Sequence, residues 1–305
     1  MSKTSISGSF PILIYSIPSM KNLIVRSLSG AIYVALIVCS ILFGGGWAFP
    51  VLCCIFTFTG ILEFQKMTQT DFYDSPRMLF VDLLIGLAIP AIVAMSFCGL
   101  PMLAILTGIA TIILALTRLI TQLYSHRENP LRHIAYSIMS VTYLAFPLAA
   151  ATGILFIDRG ILLLMFVMIW LNDTGAFLVG SAIGSHRLFP RHSPKKSWEG
   201  FFGGMAFCVA AGYLSTVLIP DYFEQYGTLA MIAFGIVVCI MSTWGDLFES
   251  MLKRTVGVKD SGNIIPGHGG ILDRIDSLLF VAPATLVFWI IVYILPSFTG
   301  LLEVK

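Results

Sequence analysis

The chain has 305 residues, of which 57% are hydrophobic and 11% charged, and its mean hydropathy is +0.92. Soluble proteins carry about 25% charged residues, so 18 basic and 16 acidic side chains cannot cover a water-facing globule of this size. Disordered chains are poor in aromatics, which 23 Phe, 10 Tyr and 5 Trp exclude here, and coiled-coil, collagen-like and disulfide-scaffold classes fail on the same composition. A polytopic membrane protein remains. The six cysteines all fall in apolar stretches with no C-x-x-C, so they read as small packing residues and not as zinc ligands.

A helix needs about 20 apolar residues to cross the hydrocarbon core, and charge-free runs therefore locate the spans in chain order. Residues 1–28 form an N-terminal cytoplasmic segment without a signal-cleavage pattern, and 1–19 read as an extension ahead of a natural start at Met20-Lys21-Asn22. The run 27–62 holds two helices broken at Gly44-Gly45-Gly46-Trp47, and 83–117 holds two more broken at Cys98-Gly99-Leu100-Pro101. Single spans follow at 134–157, 160–185, 201–220, 225–245 and 277–302. The expected fold is an all-α bundle of about nine spans, with eight or ten also fitting. Residues 29–305 form one domain, with a charged connector at 245–277 between the last two spans. With the N-terminus in the cytoplasm, 16 of the 18 Lys and Arg lie on the cytoplasmic side, leaving only Arg159 and Lys305 outside. That is the distribution the positive-inside rule requires.

Chemistry concentrates in that connector. It contains Asp246, Glu249, Asp260, Asp273, Asp276, His268 and glycines at 257, 262, 267, 269 and 270. A solvated connector is the plain reading, but few need both a glycine-rich turn and so even a mixture of signs. Hard divalent cations such as Mg²⁺ take carboxylate oxygens together with substrate phosphates. Asp273 and Asp276 are three apart, so a helix entering the last span puts both on one side, and Asp246 ends the preceding span on the same surface. Gly267-His268-Gly269-Gly270 lets backbone N–H groups approach an anion. Lys253, Arg254 and Lys259 supply positive charge for a polyphosphate leaving group. Together these features suggest metal-assisted transfer of a phosphate-containing group.

The pattern Ser250-x-Leu252-Lys253-Arg254-x4-Lys259-Asp260-x-Gly262-x2-Ile265-Pro266-x-His268-Gly269-Gly270-Ile271-x-Asp273-Arg274-Ile275-Asp276 resembles the signature of the phosphatidate cytidylyltransferases (CDP-diglyceride synthases) over 27 positions. Upstream, Asn172-Asp173-Thr174-Gly175-Ala176 and Ser193-Pro194-Lys195-Lys196-Ser197-Trp198-Glu199-Gly200 are similar to other segments of that family. The resemblance covers about the C-terminal half. It implies an integral membrane enzyme that condenses CTP with phosphatidic acid to give CDP-diacylglycerol and pyrophosphate. It also implies Mg²⁺, with a second cation left open, a homodimer, and a bacterial inner membrane with the active site facing the cytoplasm. No nucleic acid is expected as a partner.

On this reading Asp246, Asp273 and Asp276 hold the metal, and Lys253, Arg254, Lys259, Asp260, His268 and Arg274 form the catalytic set. Asn172, Asp173, Ser193, Lys195, Lys196, Ser250, Gly269 and Gly270 bind substrate. Asp173 is the sharpest case outside the signature, because an ionisable group within a span is costly and usually faces a wet cavity. A helix-break cap is its alternative role. Lys195 and Lys196 suit an anionic lipid headgroup at the interface, although alone they would read as positive-inside markers. His268 sits among glycines, where it can donate to phosphate or shuttle a proton. Two rival functions stand beside the first: a related lipid cytidylyltransferase or lipid kinase, and an ion-coupled transporter. A transporter would favour polar residues in several spans and an internal repeat, and neither is present in the sequence.

Overall fold

The computed structural model describes residues 20–68, 76–124, 129–262, 264 and 269–299. Helices α1 (Met20–Phe43) and α2 (Ala48–Thr68) split at a turn where Gly45 and Gly46 take φ of 56° and 89°. Helices α3 (Pro76–Phe97) and α4 (Pro101–Leu123) split at Gly99, with Pro101 in the first turn of α4, where its missing N–H costs nothing. Then follow α5 (Pro130–Ile157) and α6 (Arg159–Ile183), a hairpin of β1 (Arg187–Phe189) and β2 (Ser193–Ser197), and α7 (Trp198–Leu218). The short α8 (Pro220–Phe223) and a 3₁₀ turn lead into α9 (Thr228–Thr255), and α10 (Leu272–Thr299) ends the described chain.

The protein is an all-α polytopic bundle. Among the described residues eight helices, α2–α7, α9 and α10, are long and apolar enough to cross a membrane, and α1 adds a shorter apolar stretch, Ser27–Phe43. Of the segment 245–277, residues up to Thr255 continue α9 and residues from Leu272 begin α10. The charge-free run ends at Gly245, but the helix runs on for ten residues because its charges find partners. Glu249 and Lys253, four apart on one face, close an ion pair at 2.6 Å.

Two halves pack differently. Around α6, α7 and α9 backbones approach closely, as small residues allow between membrane helices. A Cβ on Gly204 would lie 2.4 Å from Asn172 Oδ1, and one on Gly235 would lie 2.5 Å from the Cys208 carbonyl oxygen. Around α2–α5 a buried polar knot does the fastening. Asp82 on α3 accepts from Arg118 Nε of α4 at 3.0 Å, from Gln65 Nε2 of α2 at 2.8 Å, and from the Ser137 hydroxyl of α5. Arg118 also donates to Gln122 Oε1 at 3.0 Å. Both charged residues are buried, which is tolerable in a low dielectric only because they neutralise each other.

Removing the cation should therefore expose the knot's cost. Arg118→Ala is expected to destabilise the bundle by about 3–5 kcal/mol, the penalty for stranding a buried partner. Thermal unfolding in detergent measures it, and Asp82→Asn added to Arg118→Ala should restore part of the loss.

Candidate active site

The site forms where β2 and the adjoining ends of α6, α9 and α10 meet. Ser197 caps α7 by accepting from Gly200 N–H at 3.1 Å. His186 is held to Glu199 through its N–H at 3.1 Å and Nδ1 at 2.6 Å. The hairpin so fixed points Lys196 at α9, where Nζ lies 2.6 Å from Asp246 Oδ2. Asp246 Oδ1 also accepts from the Ser250 hydroxyl one turn on, at 3.3 Å.

Helical spacing decides the next contacts. Asp246, Glu249, Ser250 and Lys253 share one face of α9. Glu249 is fully buried. Lys253 Nζ stands 2.6 Å from Glu249 Oε2 and 2.7 Å from Asp273 Oδ1, so one ammonium joins α9 to the first turn of α10. Asp276, one turn further along α10, approaches Asp246 and Glu249: an oxygen from each of the three lies within 4.8 Å of the others. Glu249 Oε1 is buried and has no hydrogen-bond partner.

A cavity of about 270 Å³ opens beside this group. Asp173 of α6, Asp273, Arg274 and Asp276 line it together with Tyr33 of α1 and Trp170. Tyr33 donates to the Arg274 carbonyl at 3.0 Å. The cavity thus brings the acidic residue within the sixth helix to the signature residues more than 90 positions away.

Not every expected residue joins the group. Asp273 is one of the three carboxylates expected at the metal, yet its oxygens are already engaged. It receives Lys253, the Ser261 N–H at 3.0 Å, the Ser261 hydroxyl at 2.9 Å and the Gly270 N–H at 2.8 Å. Asn172 turns away from the cavity into a seam, donating to the Ser242 hydroxyl at 3.2 Å. Arg254 is exposed and donates to the Val258 carbonyl at 3.2 Å. Lys195, Lys259 and Asp260 are exposed nearby in sequence, and Ser193 is partly buried at the start of β2. Gly269 has φ of 81°, and a Cβ there would stand 2.5 Å from Asp273 Oδ2. Gly270 is pressed against Ser261 and Glu63. His268 lies outside the described residues.

Two carboxylates escape the sequence reading of the site. Glu249 has a local signal, because it lies three residues after Asp246 and four before Lys253, but only if α9 continues past Gly245. Glu63 on α2 has no local signal. It simply follows an apolar run, and only the fold brings it to the start of α10, where it accepts from Ile271 N–H at 3.0 Å and Leu272 N–H at 2.9 Å.

A helical membrane bundle with a charged, partly enclosed group at one end of its last helices is the class that fold and site define: a multi-pass membrane enzyme. Residues 24–294 match the model of the cytidylyltransferase family. The chain is 33% identical over 264 residues to a phosphatidate cytidylyltransferase of Staphylococcus epidermidis, covering 85% of this chain and 96% of that one. It is also 33% identical over 261 residues to the phosphatidate cytidylyltransferase of Staphylococcus aureus strain COL, with the same coverage. To that of Staphylococcus saprophyticus it is 32% identical over 265 residues. The chain belongs to the cytidylyltransferase family and is a nucleotidyltransferase. The transporter and lipid-kinase readings are not favoured by these likenesses.

Lys253 carries a double load that mutation can separate. Lys253→Met strands Glu249 and Asp273 beside each other, so both the detergent melting temperature and turnover should fall. Adding Glu249→Gln removes one stranded charge and should recover melting temperature, with turnover still below that of Glu249→Gln alone. Turnover equal to that of Glu249→Gln alone would mean that Lys253 serves only to neutralise its neighbours.

Proposed function

We propose that an oxygen of the phosphatidate phosphate attacks the α-phosphorus of CTP in this site. A new P–O bond forms as the bond from the α-phosphorus to the bridging oxygen of the β-phosphate breaks, giving CDP-diacylglycerol and pyrophosphate. The observation that carries this reading is the charged group on α9 and α10, in a chain whose relatives are phosphatidate cytidylyltransferases. No protein base is needed, since the phosphatidate oxygen is already anionic at neutral pH.

Mg²⁺ belongs to the same proposal, and the side chains fit it. Asp173, Asp246, Glu249, Asp273 and Asp276 bring five carboxylates against the cations of Lys196, Lys253 and Arg274, an excess of negative charge. Three of those carboxylates converge, and one buried oxygen among them lacks a partner. Asp246, Glu249 and Asp276 would hold the ion, which supplies neutralisation of phosphate charge and alignment of the reacting centre. Lys253, held on both sides by carboxylates, keeps a fixed cation ready for charge that develops on the pyrophosphate. Arg274 and Asp173 face the cavity, where Arg274 can take a phosphate oxygen and Asp173 a donor of the nucleotide. Lys196, at the end of a fixed strand, can exchange Asp246 for a phosphate. Exposed Lys195, Arg254 and Lys259 attract the two anionic substrates toward the mouth.

We also place the site on the cytoplasmic side of a bacterial inner membrane, with two copies as the working unit. The bias of basic residues supports the orientation and the bacterial relatives support the compartment. A reporter domain fused after Lys305 should be exported, whereas one inserted near Arg127 should stay cytoplasmic; the reverse pattern would overturn the orientation. Cross-linking in native membranes tests the dimer.

The reaction is tested with purified protein, labelled CTP and phosphatidate, following labelled CDP-lipid. Chelation should abolish turnover and Mg²⁺ should restore it. Asp246→Asn, Glu249→Gln and Asp276→Asn are each expected to lose on the order of 10²-fold in turnover. Pairs should be little worse than singles, because residues acting as a unit are not additive. Asp273→Asn should lose turnover without raising the Mg²⁺ needed for half-activation. A raised requirement would return Asp273 to the metal, and chelator-insensitive wild-type turnover would overturn the metal assignment.

A further inference from the structure

Glu63 is a buried carboxylate, 4% exposed, on a helix that contributes no other charge to the site. Among the described residues it forms no ion pair. Its compensation comes from backbone donors: Ile271 N–H to Oε1 and Leu272 N–H to Oε2, at 3.0 and 2.9 Å, where the unsatisfied N–H groups and positive dipole end of α10 lie. The Ser261 hydroxyl lies 3.4 Å from Oε2. Two glycines make room for this carboxylate. A Cβ on Gly262 would stand 2.7 Å from Oε1, and one on Gly270 would stand 2.5 Å from Oε2.

The contacts continue without a break into the reactive group. Ser261 donates its N–H to Asp273 Oδ2 and sets its hydroxyl between the Asp273 and Glu63 carboxylates, at 2.9 and 3.4 Å. Gly270, packed on Glu63, donates its N–H to the same Asp273 oxygen. Asp273 in turn holds Lys253. Every element that fixes the Lys253 ammonium from the α10 side therefore rests on the α2 carboxylate.

An apolar side chain would fill this space more cheaply, since burying a carboxylate costs several kcal/mol unless it is fully hydrogen-bonded. Packing alone does not account for Glu63. What the geometry requires is a two-oxygen acceptor, one oxygen for each of two adjacent N–H groups. Glutamine offers one oxygen and one NH₂, so one of the two donors would face another donor. Aspartate keeps both oxygens but is one methylene short.

We propose that Glu63 is a positioning residue for the transfer reaction. It clamps Ser261, Gly262, residues 270–272 and the first turn of α10, and thereby sets Asp273 and Lys253, without touching substrate. This rests on the role given above to Lys253.

The test uses full-length wild type, Glu63→Gln and Glu63→Asp in detergent. It reads hydrogen–deuterium exchange over residues 269–276 without substrates, melting temperature, and kcat, KM for CTP and Mg²⁺ half-activation. In Glu63→Gln, exchange over 269–276 should rise locally while melting temperature and exchange in α6 and α7 stay near wild type. Its kcat should fall by about 10²-fold, the scale on which a misplaced catalytic group lowers rate, with KM for CTP and Mg²⁺ half-activation little changed. Glu63→Asp should recover part of kcat. Unchanged kcat in Glu63→Gln would overturn the proposal. So would a shifted Mg²⁺ requirement, which would make Glu63 a ligand, or a fall in melting temperature that tracks kcat in both variants. A wild type that forms no CDP-lipid would sink the proposed reaction instead, and the exchange measurement would still decide whether the clamp exists.

Discussion

One ammonium shared by two carboxylates organises the reactive end of this protein. Lys253 lies 2.6 Å from Glu249 and 2.7 Å from Asp273, and Glu249 is completely buried. In such surroundings an isolated charge would cost several kcal/mol, so the Glu249 carboxylate depends on the lysine beside it, while Asp273 shares that lysine with backbone and hydroxyl donors. That requirement has structural consequences on both sides. It draws α9 ten residues past its apolar run, and it fixes the first turn of α10 against α9. Ser261 and Gly270, from the segment between them, then close on Asp273, which receives their N–H groups.

The bundle contains a second buried charge system, and comparing the two separates scaffold from chemistry. Around Asp82 the charges balance: one arginine, one glutamine and one serine donate to one carboxylate, and Arg118 and Asp82 cancel. Around Asp246 they do not balance. Carboxylates outnumber cations, and Glu249 Oε1 is buried without a donor. Polar groups arranged ahead of time in a water-poor site interact strongly with whatever charge arrives. A charge-balanced knot holds helices together, whereas one in which carboxylates outnumber cations is suited to bind a cation.

Much of this was legible in the sequence, for identifiable reasons. The spans could be read because charge is scarce and the two breaks carry the glycines and proline that helices cannot absorb, at 44–46 and 99–101. Asp276 and Lys253 lie in the signature itself, and Asp246 stands at the end of the apolar run just before it. Glu249 was lost because a charge after an apolar run looks like the end of a helix, and only its ion pair with Lys253 keeps the helix going. The place of Asp273 could not be read, since three-residue spacing puts it beside Asp276 on α10 but says nothing of the N–H groups that occupy it. The direction of Asn172 was equally absent from the sequence. Adjacent to Asp173, it points about 100° away on the helix and meets Ser242 rather than the cavity. Glu63 and Asp82 were beyond reach altogether, because their partners lie 198 to 209 and 17 to 55 residues away.

The two charge systems are not independent, and α2 is the reason. Gln65 faces α3 and α5, donating to Asp82 and to Ser140, while Glu63 faces the loop before α10. Two residues apart on a helix of 3.6 residues per turn, they point roughly 200° from each other. One rigid rod is therefore fastened on one side to the charge-balanced knot and on the other to the acid-rich site. Its fixed position gives the glycine-rich loop something to close against, which the loop could not supply from its own residues. The N-terminal half of the chain, where the family signature is silent, thus contributes to catalysis by geometry: it holds still the wall on which Asp273, and through it Lys253, are placed.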